Sequence, residues 1–167
     1  NNSAMKSASL LYKHKKKGNT INDLFLFSND LESIGKWYRQ LMGESIGKEY
    51  DQRGHKIFNG ITPTVSIGST DLHSMAQLYL GGPYDKYTTF VRVQKHKHTV
   101  KVPTLASYRS LVNAIEARPL AEIMTAIIDG VQIAFEKGKR PFSEIVLSDK
   151  SAYSIGQLLQ FKMMEMM

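Results

Sequence analysis

The chain predicts an α/β fold, a doubly wound, three-layer α/β/α arrangement around a mainly parallel sheet. Two observations carry this reading. Helical and strand-like periodicities alternate along the sequence, and the strand-like runs are short, apolar and bounded by turn residues, as strands covered on both faces are. A length of 167 residues, with no internal repeat and no low-complexity linker, suits one domain with a sizeable core.

In chain order, residues 3–16 read as a helix that stops near Gly18, and Ile21–Phe27 reads as a buried strand. Ser28, Asn29 and Asp30 supply a helix start, and Leu31, Ile34, Tyr38 and Leu41 give that helix its buried stripe. Residues 49–68, with Gly54, Gly60, Pro63 and Gly68, read as a long connection without regular structure. Ser69 or Thr70 can cap a helix whose core side is Leu72, Met75 or Ala76, and Tyr79, and Gly81-Gly82-Pro83 ends it. Tyr87–Gln94, β-branched and aromatic, reads as a strand. A helix is expected over 105–117, with Tyr108, Leu111, Val112 and Ile115 on one side. Pro119 fits the first turn of a longer helix with the stripe Leu120, Ile123, Ile127, Val131 and Phe135, ending at Gly138. Phe142–Leu147 is a strand. Tyr153–Met167 is a last helix, in which the methionines are expected to face the core.

Two segments carry candidate chemistry. His73 lies at the start of its helix among hydroxyls and a carboxylate, a setting suited to proton transfer or to touching an anionic sugar. Glu44 falls at or just past the C-terminal end of its helix, where the helix dipole disfavours a carboxylate. Such a misfit points to chemistry, against the plainer alternative of an exposed Glu paired with Lys48.

Composition narrows the field. No apolar run reaches the ~20 residues of a membrane span, and no signal peptide is visible. Cysteine is absent, which removes disulfides and thiolate metal sites and fits a cytoplasmic location. The net charge of +7 is concentrated in Lys13–Lys17 and Lys95–His98. Neither run is accompanied by an RNA-binding aromatic signature, so both read as solvated segments rather than nucleic-acid sites. An anionic sugar phosphate is a further possibility for Lys95–His98.

The segments W-Y-R-Q-L-M-G-E-S-I-G-K (37–48) and S-T-D-L-H-S-M-A-Q-L-Y (69–79) resemble the C-terminal half of glucose-6-phosphate isomerase in its bacterial form. Pro119–Ile123 and Tyr153–Leu158 resemble it too, so the likeness runs through nearly the whole chain. It implies that residues 1–167 are the C-terminal sugar-isomerase (SIS) domain portion of that enzyme, truncated at both ends. The implied reaction is reversible isomerisation of glucose 6-phosphate and fructose 6-phosphate through a cis-enediol, without metal or organic cofactor. On that resemblance Glu44 is the general base, a carboxylate brought toward neutrality, and His73 is the second catalytic residue, with His98 its rival. The two should line one cleft, within one chain or across the homodimer that the family forms. Two departures stand out: the family's F-D-Q-x-x-V-E-x-x-K motif with its catalytic Lys is absent, and so is its N-terminal phosphate-binding loop. The competing expectation is a non-catalytic module for sugar-phosphate binding or oligomerisation on the same fold.

Overall fold

The computed structural model describes residues 2–98 and 100–167. Helix α1 (Ser3–Lys16), capped by the Asn2 side chain, leads into strand β1 (Ile21–Leu26). A 3-10 turn (Asn29–Leu31) opens helix α2 (Glu32–Ile46). The hairpin of β2 (Lys48–Tyr50) and β3 (Lys56–Asn59) precedes β4 (Thr62–Ile67). Two short helices, α3 (Thr70–Ser74) and α4 (Ala76–Gly81), lead to β5 (Lys86–Val93). A second 3-10 turn (Ala106–Tyr108), the single helical turn α5 (Arg109–Val112) and helix α6 (Leu120–Lys137) come before β6 (Phe142–Leu147) and α7 (Ala152–Met166). The main sheet has the order β4-β1-β5-β6, with every neighbour parallel.

Alternation along β1 divides the core in two. Leu24 and Leu26 face one side, where Leu11 of α1, Tyr38 and Met42 of α2 and Leu158 of α7 complete a cluster. Phe25 and the following Phe27 face the other, against Tyr79 of α4, Phe90 of β5 and Ile128 and Phe135 of α6. Phe90 meets Phe135 and Phe142 edge to face at 5.1 and 5.4 Å between centroids. Helices thus cover both faces, and the expected three-layer α/β architecture is observed. Gly35 lets α2 lie close on the sheet: a Cβ there would stand 2.5 Å from Val65 Cγ1.

Three expectations need correction. Residues 49–68 are largely regular, holding a hairpin and the edge strand β4. Thr62 donates its N–H to Thr20 O at 2.8 Å, so Pro63, next along, presents its missing donor on the open side of the sheet, where it costs nothing. The 105–117 helix shrinks to short turns, and Tyr108 and Leu111 are exposed at 56% and 79%. A helical pattern with no face to pack against does not hold a long helix. In α7 Met166 packs against the core as expected, but Met163 and Met164 are exposed, whereas Lys162 and Glu165 are buried. The ammonium donates to Glu165 Oε2 at 2.8 Å and stands 4.6 Å from the Tyr38 ring centroid, and Ser7 Oγ donates to the other carboxylate oxygen. Charged groups at the same face of a helix, three residues apart, satisfy each other inside the core. Removing one leaves the other buried and uncompensated. Lys162→Met is therefore expected to lower the unfolding free energy by about 3–5 kcal/mol, and adding Glu165→Leu to recover most of that loss. Urea denaturation of both variants measures it.

A second polar group is buried in β1 itself. Asp23 Oδ1 accepts from Thr64 Oγ1 at 2.6 Å, Ser66 Oγ at 3.0 Å and Tyr79 Oη at 3.0 Å, and its Oδ2 is buried without a partner. Burial raises its pKa, with a smaller contribution from the charge of Asp71, against the three hydroxyl donors that lower it. A folded pKa above the unfolded one means that the folded state binds more protons in the window between them. Stability should then fall as pH rises from about 4 through the raised value. Asp23→Asn keeps an acceptor oxygen and should flatten that slope. Denaturation midpoints across acidic to neutral pH test this, and an unchanged slope would contradict it.

Candidate functional site at the two edges of the sheet

The first edge lies at the amino ends of the strands. Helix α2 starts beyond the carboxyl end of β1 and runs back, so its last turn reaches the start of β4. Lys48 pairs with Asn59, and a Cβ on Gly60 would sit 3.6 Å from the Cα of Gly47. Glu44 lies on this last turn. Its side chain is exposed and accepts from Gln40 Nε2 at 3.2 Å, and no ion pair with Lys48 forms among the described residues. Nearby is a cavity of about 170 Å³ between Met42, Ile46 and Ile61 on one side and Tyr12, Lys15 and Glu165 on the other. Glu44 does not line it.

The second edge lies at the carboxyl ends. β1 runs out beside Gly68, whose N–H donates to Leu26 O at 2.9 Å. A Cβ at Gly68 would come within 2.7 Å of the Phe27 ring, so this close crossing requires glycine. Ser69 and Thr70 follow, and neither caps α3 through its side chain. Asp71 folds back instead, accepting from Ile67 N at 2.6 Å and Ser74 Oγ at 2.8 Å. The helix breaks at Met75, and His73 is exposed on the first piece.

The 6 residues of β1 separate these edges, a span on the order of 20 Å. One chain therefore does not bring Glu44 and His73 into one cleft. His98 lies on neither helix. It is exposed on the segment after β5, in a groove of about 630 Å³ with Lys95, His96, Lys97, Asp149 and Lys150. Lys150 pairs with Asp30 across this groove. Asp149 Oδ1 accepts from Ser151 N, Ser151 Oγ and Ser154 Oγ, and these bonds hold its carboxyl down to about 2. A smaller recess of about 270 Å³ adjoins it, with Ser28, Asn29, Ser69 and Thr70 on its walls and His96 shared between the two.

Sequence reasoning identified the basic run 95–98 but not its neighbours Ser28, Ser69 and Thr70 as one surface. Each of these hydroxyls closely follows a strand, which is the available signal. Only the strand order reveals that the strands end side by side. Among the described residues, no three His, Asp or Glu side chains gather as metal ligands, and no helix is long and apolar enough to cross a membrane.

No family model matches the chain. It is 32% identical over 145 residues to a glucose-6-phosphate isomerase of Carboxydothermus hydrogenoformans, covering 87% of this chain and 31% of that protein. With the enzyme of the same name from Pediococcus pentosaceus it shares 32% identity over 160 residues, covering 96% and 34%. The chain thus spans about a third of the length of the curated relatives it matches. Among solved structures it is similar to a hypothetical protein from Thermus thermophilus, with a TM-score of 0.90 at 24% identity, covering 98% of this chain and 38% of that one. It is also similar to a glucose-6-phosphate isomerase from Chlamydia trachomatis, with a TM-score of 0.79 at 18% identity and coverages of 98% and 32%. At those identities the structural likeness speaks for the fold. The sequence likeness relates the chain to about a third of the length of these proteins named glucose-6-phosphate isomerase.

Proposed function

We propose that the chain is the C-terminal sugar-isomerase portion of a glucose-6-phosphate isomerase. The observation that carries this reading is the likeness over 145 residues, at 32% identity, to a protein of that name. The motifs around Glu44 and His73 point to the same family. On this reading Glu44 takes the proton from C2 of the open-chain sugar phosphate and returns it to C1 through a cis-enediol, and His73 assists ring opening. The exposure of Glu44 leaves it accessible to a substrate, and no cofactor is called for. His98, out on its charged segment, is the weaker choice for the ring-opening role. The location is cytoplasmic, and the working unit is a homodimer.

The separation of the two edges shapes the rest of the proposal. If Glu44 and His73 act on one substrate, they come from different chains, Glu44 from one protomer and His73 from its partner. The share of the relatives' length that the chain spans favours a second reading for these 167 residues in isolation: a sugar-phosphate-binding or oligomerisation module. Both readings expect the isolated chain to turn over little or no fructose 6-phosphate, and they part over the full-length protein.

In the full-length protein, Glu44→Gln is expected to lower kcat by roughly 10²-fold or more, as loss of a general base does. His73→Ala should lower it as well. Co-refolding the two variants in equal amounts makes half of the dimers mixed, each with one complete site, so about a quarter of the original activity should return. A coupled assay reads all three. Full activity in Glu44→Gln would remove the base assignment, and no recovery on mixing would remove the shared site.

A further inference from the structure

The cavity behind the last turn of α2 is enclosed by α1, α2, α7 and the link from β3 to β4. Its walls are apolar, with Leu11 and Met42 buried and Ile46, Ile61 and Met166 half-buried. The polar and more exposed lining residues, Tyr12, Lys15 and Asn59, mark its mouth. An apolar cavity of about 150 Å³ holds a benzene ring, and this one measures about 170 Å³. We propose that it binds a small monocarboxylate whose apolar body is the size of a single aromatic ring, with the ring between Leu11, Met42 and Ile61 and the carboxylate on Lys15.

The walls decide the body of the ligand. Apolar walls with a few polar groups at one end are the pattern of a small-molecule site. A hydroxylated skeleton would leave its hydroxyls unpaired against Leu11, Met42 and Ile61, so a sugar does not suit this cavity. Charge decides the head. The charged residues on the walls are Lys15 and Glu165. Both oxygens of Glu165 are engaged: Oε2 accepts from Lys162 Nζ at 2.8 Å and Oε1 accepts from Ser7 Oγ. Lys162 thus balances this carboxylate inside the core. Among the described residues Lys15 has no ion-pair partner, and its neighbours along α1 are further cations. A single negative charge at the mouth therefore completes the site, and a carboxylate on an ammonium is a charge-assisted pair. This inference does not rest on the isomerase reading. It places a ligand behind the turn that carries Glu44, since Met42 and Ile46 belong to that turn.

Benzoate, benzyl alcohol and acetate, titrated into the full-length protein by calorimetry, separate body from head. Benzoate should bind roughly tenfold or more tighter than benzyl alcohol, which lacks the charge, and than acetate, which lacks the ring. Lys15→Gln should bring benzoate down to the affinity of benzyl alcohol and leave benzyl alcohol unchanged. Lys13→Gln, at an exposed position that does not line the cavity, should alter neither. Ala8→Phe places a ring in the cavity and should abolish binding of both aromatic probes. If that variant does not fold, the two lysine variants carry the test. In the unaltered protein, methyl resonances of Met42, Ile46 and Ile61 should shift as benzoate is added. Benzoate binding no tighter than either of the other probes, unchanged binding in Lys15→Gln, an equal loss in Lys13→Gln, retained binding in a folded Ala8→Phe variant, or shifts confined to other regions would each overturn the proposal.

Discussion

Strand β1 is buried on both faces from Asn22 onward, and the rest of the fold is arranged around that burial. A parallel central strand must have both faces covered, and its period of two deals alternate residues to opposite cores. Each face also receives one polar side chain, and each is met by a tyrosine from a different helix. Asn22 Oδ1 accepts from Tyr38 Oη at 2.8 Å on the α2 side, and Asp23 Oδ1 accepts from Tyr79 Oη on the α4 side. An unpartnered amide or carboxyl at this depth would cost more than a lost hydrophobic contact. The two pairs therefore fix where α2 and α4 sit on the sheet as firmly as the apolar contacts do. The Tyr38 phenol is itself held protonated, because burial and the charge of Glu165 push its pKa up.

Covering both faces leaves little but the edges of the sheet for chemistry. Glu44 lies at the amino edge because α2 is long enough to run the whole depth of the sheet. His73 lies at the carboxyl edge because α3 follows closely on β4. These placements come from topology, and no change of rotamer on either residue crosses the length of a strand. The groove at Lys95–His98 belongs to the carboxyl edge for the same reason, since Lys95 hydrogen-bonds to the residue after β6.

Much of this was legible in the sequence because it depends on local pattern. The α1, β5 and β6 segments, the start and end of α6 and the apolar run of β1 follow from periodicity and punctuation. The tight turn at Gly68 and the edge strand β4 did not, because Gly and Pro read as loop wherever they stand. Only the pairing of β4 with β1 shows that Pro63 faces an open edge. In α7 local pattern placed Leu158 and Met166 on the core side but misplaced Lys162, Met163, Met164 and Glu165. Counting methionine as core and lysine as surface is sound for one helix in isolation, but the Glu165 carboxylate and the Tyr38 ring offset part of the cost of burying Lys162, whose pKa burial still lowers. The Glu44 motif could be read as a motif, whereas its distance from His73 could not, because no spacing along the chain reports which edge a helix returns to.

The homodimer proposed above must satisfy a geometric condition that follows from these placements. A two-fold contact that unites Glu44 of one protomer with His73 of its partner has to bring an amino edge against a carboxyl edge, twice, related by one axis. The contact must then reach along the depth of the sheet, roughly a strand length, rather than join two loop tips. Two exposed apolar stretches are available for such a contact: the segment with Tyr108 and Leu111, and the outer face of α7 with Met163 and Met164. The segment with Tyr108 departs from the carboxyl end of β5 and returns to the bridge between Lys101 and Pro119, so it stands on the His73 edge. Helix α7 ends at the amino edge, where Glu165 and Met166 line the cavity beside the last turn of α2. Apolar surface is thus present near both edges, where a shared site would need it. A contact built on these two stretches would draw on buried apolar surface and not on the Lys13–Lys17 run.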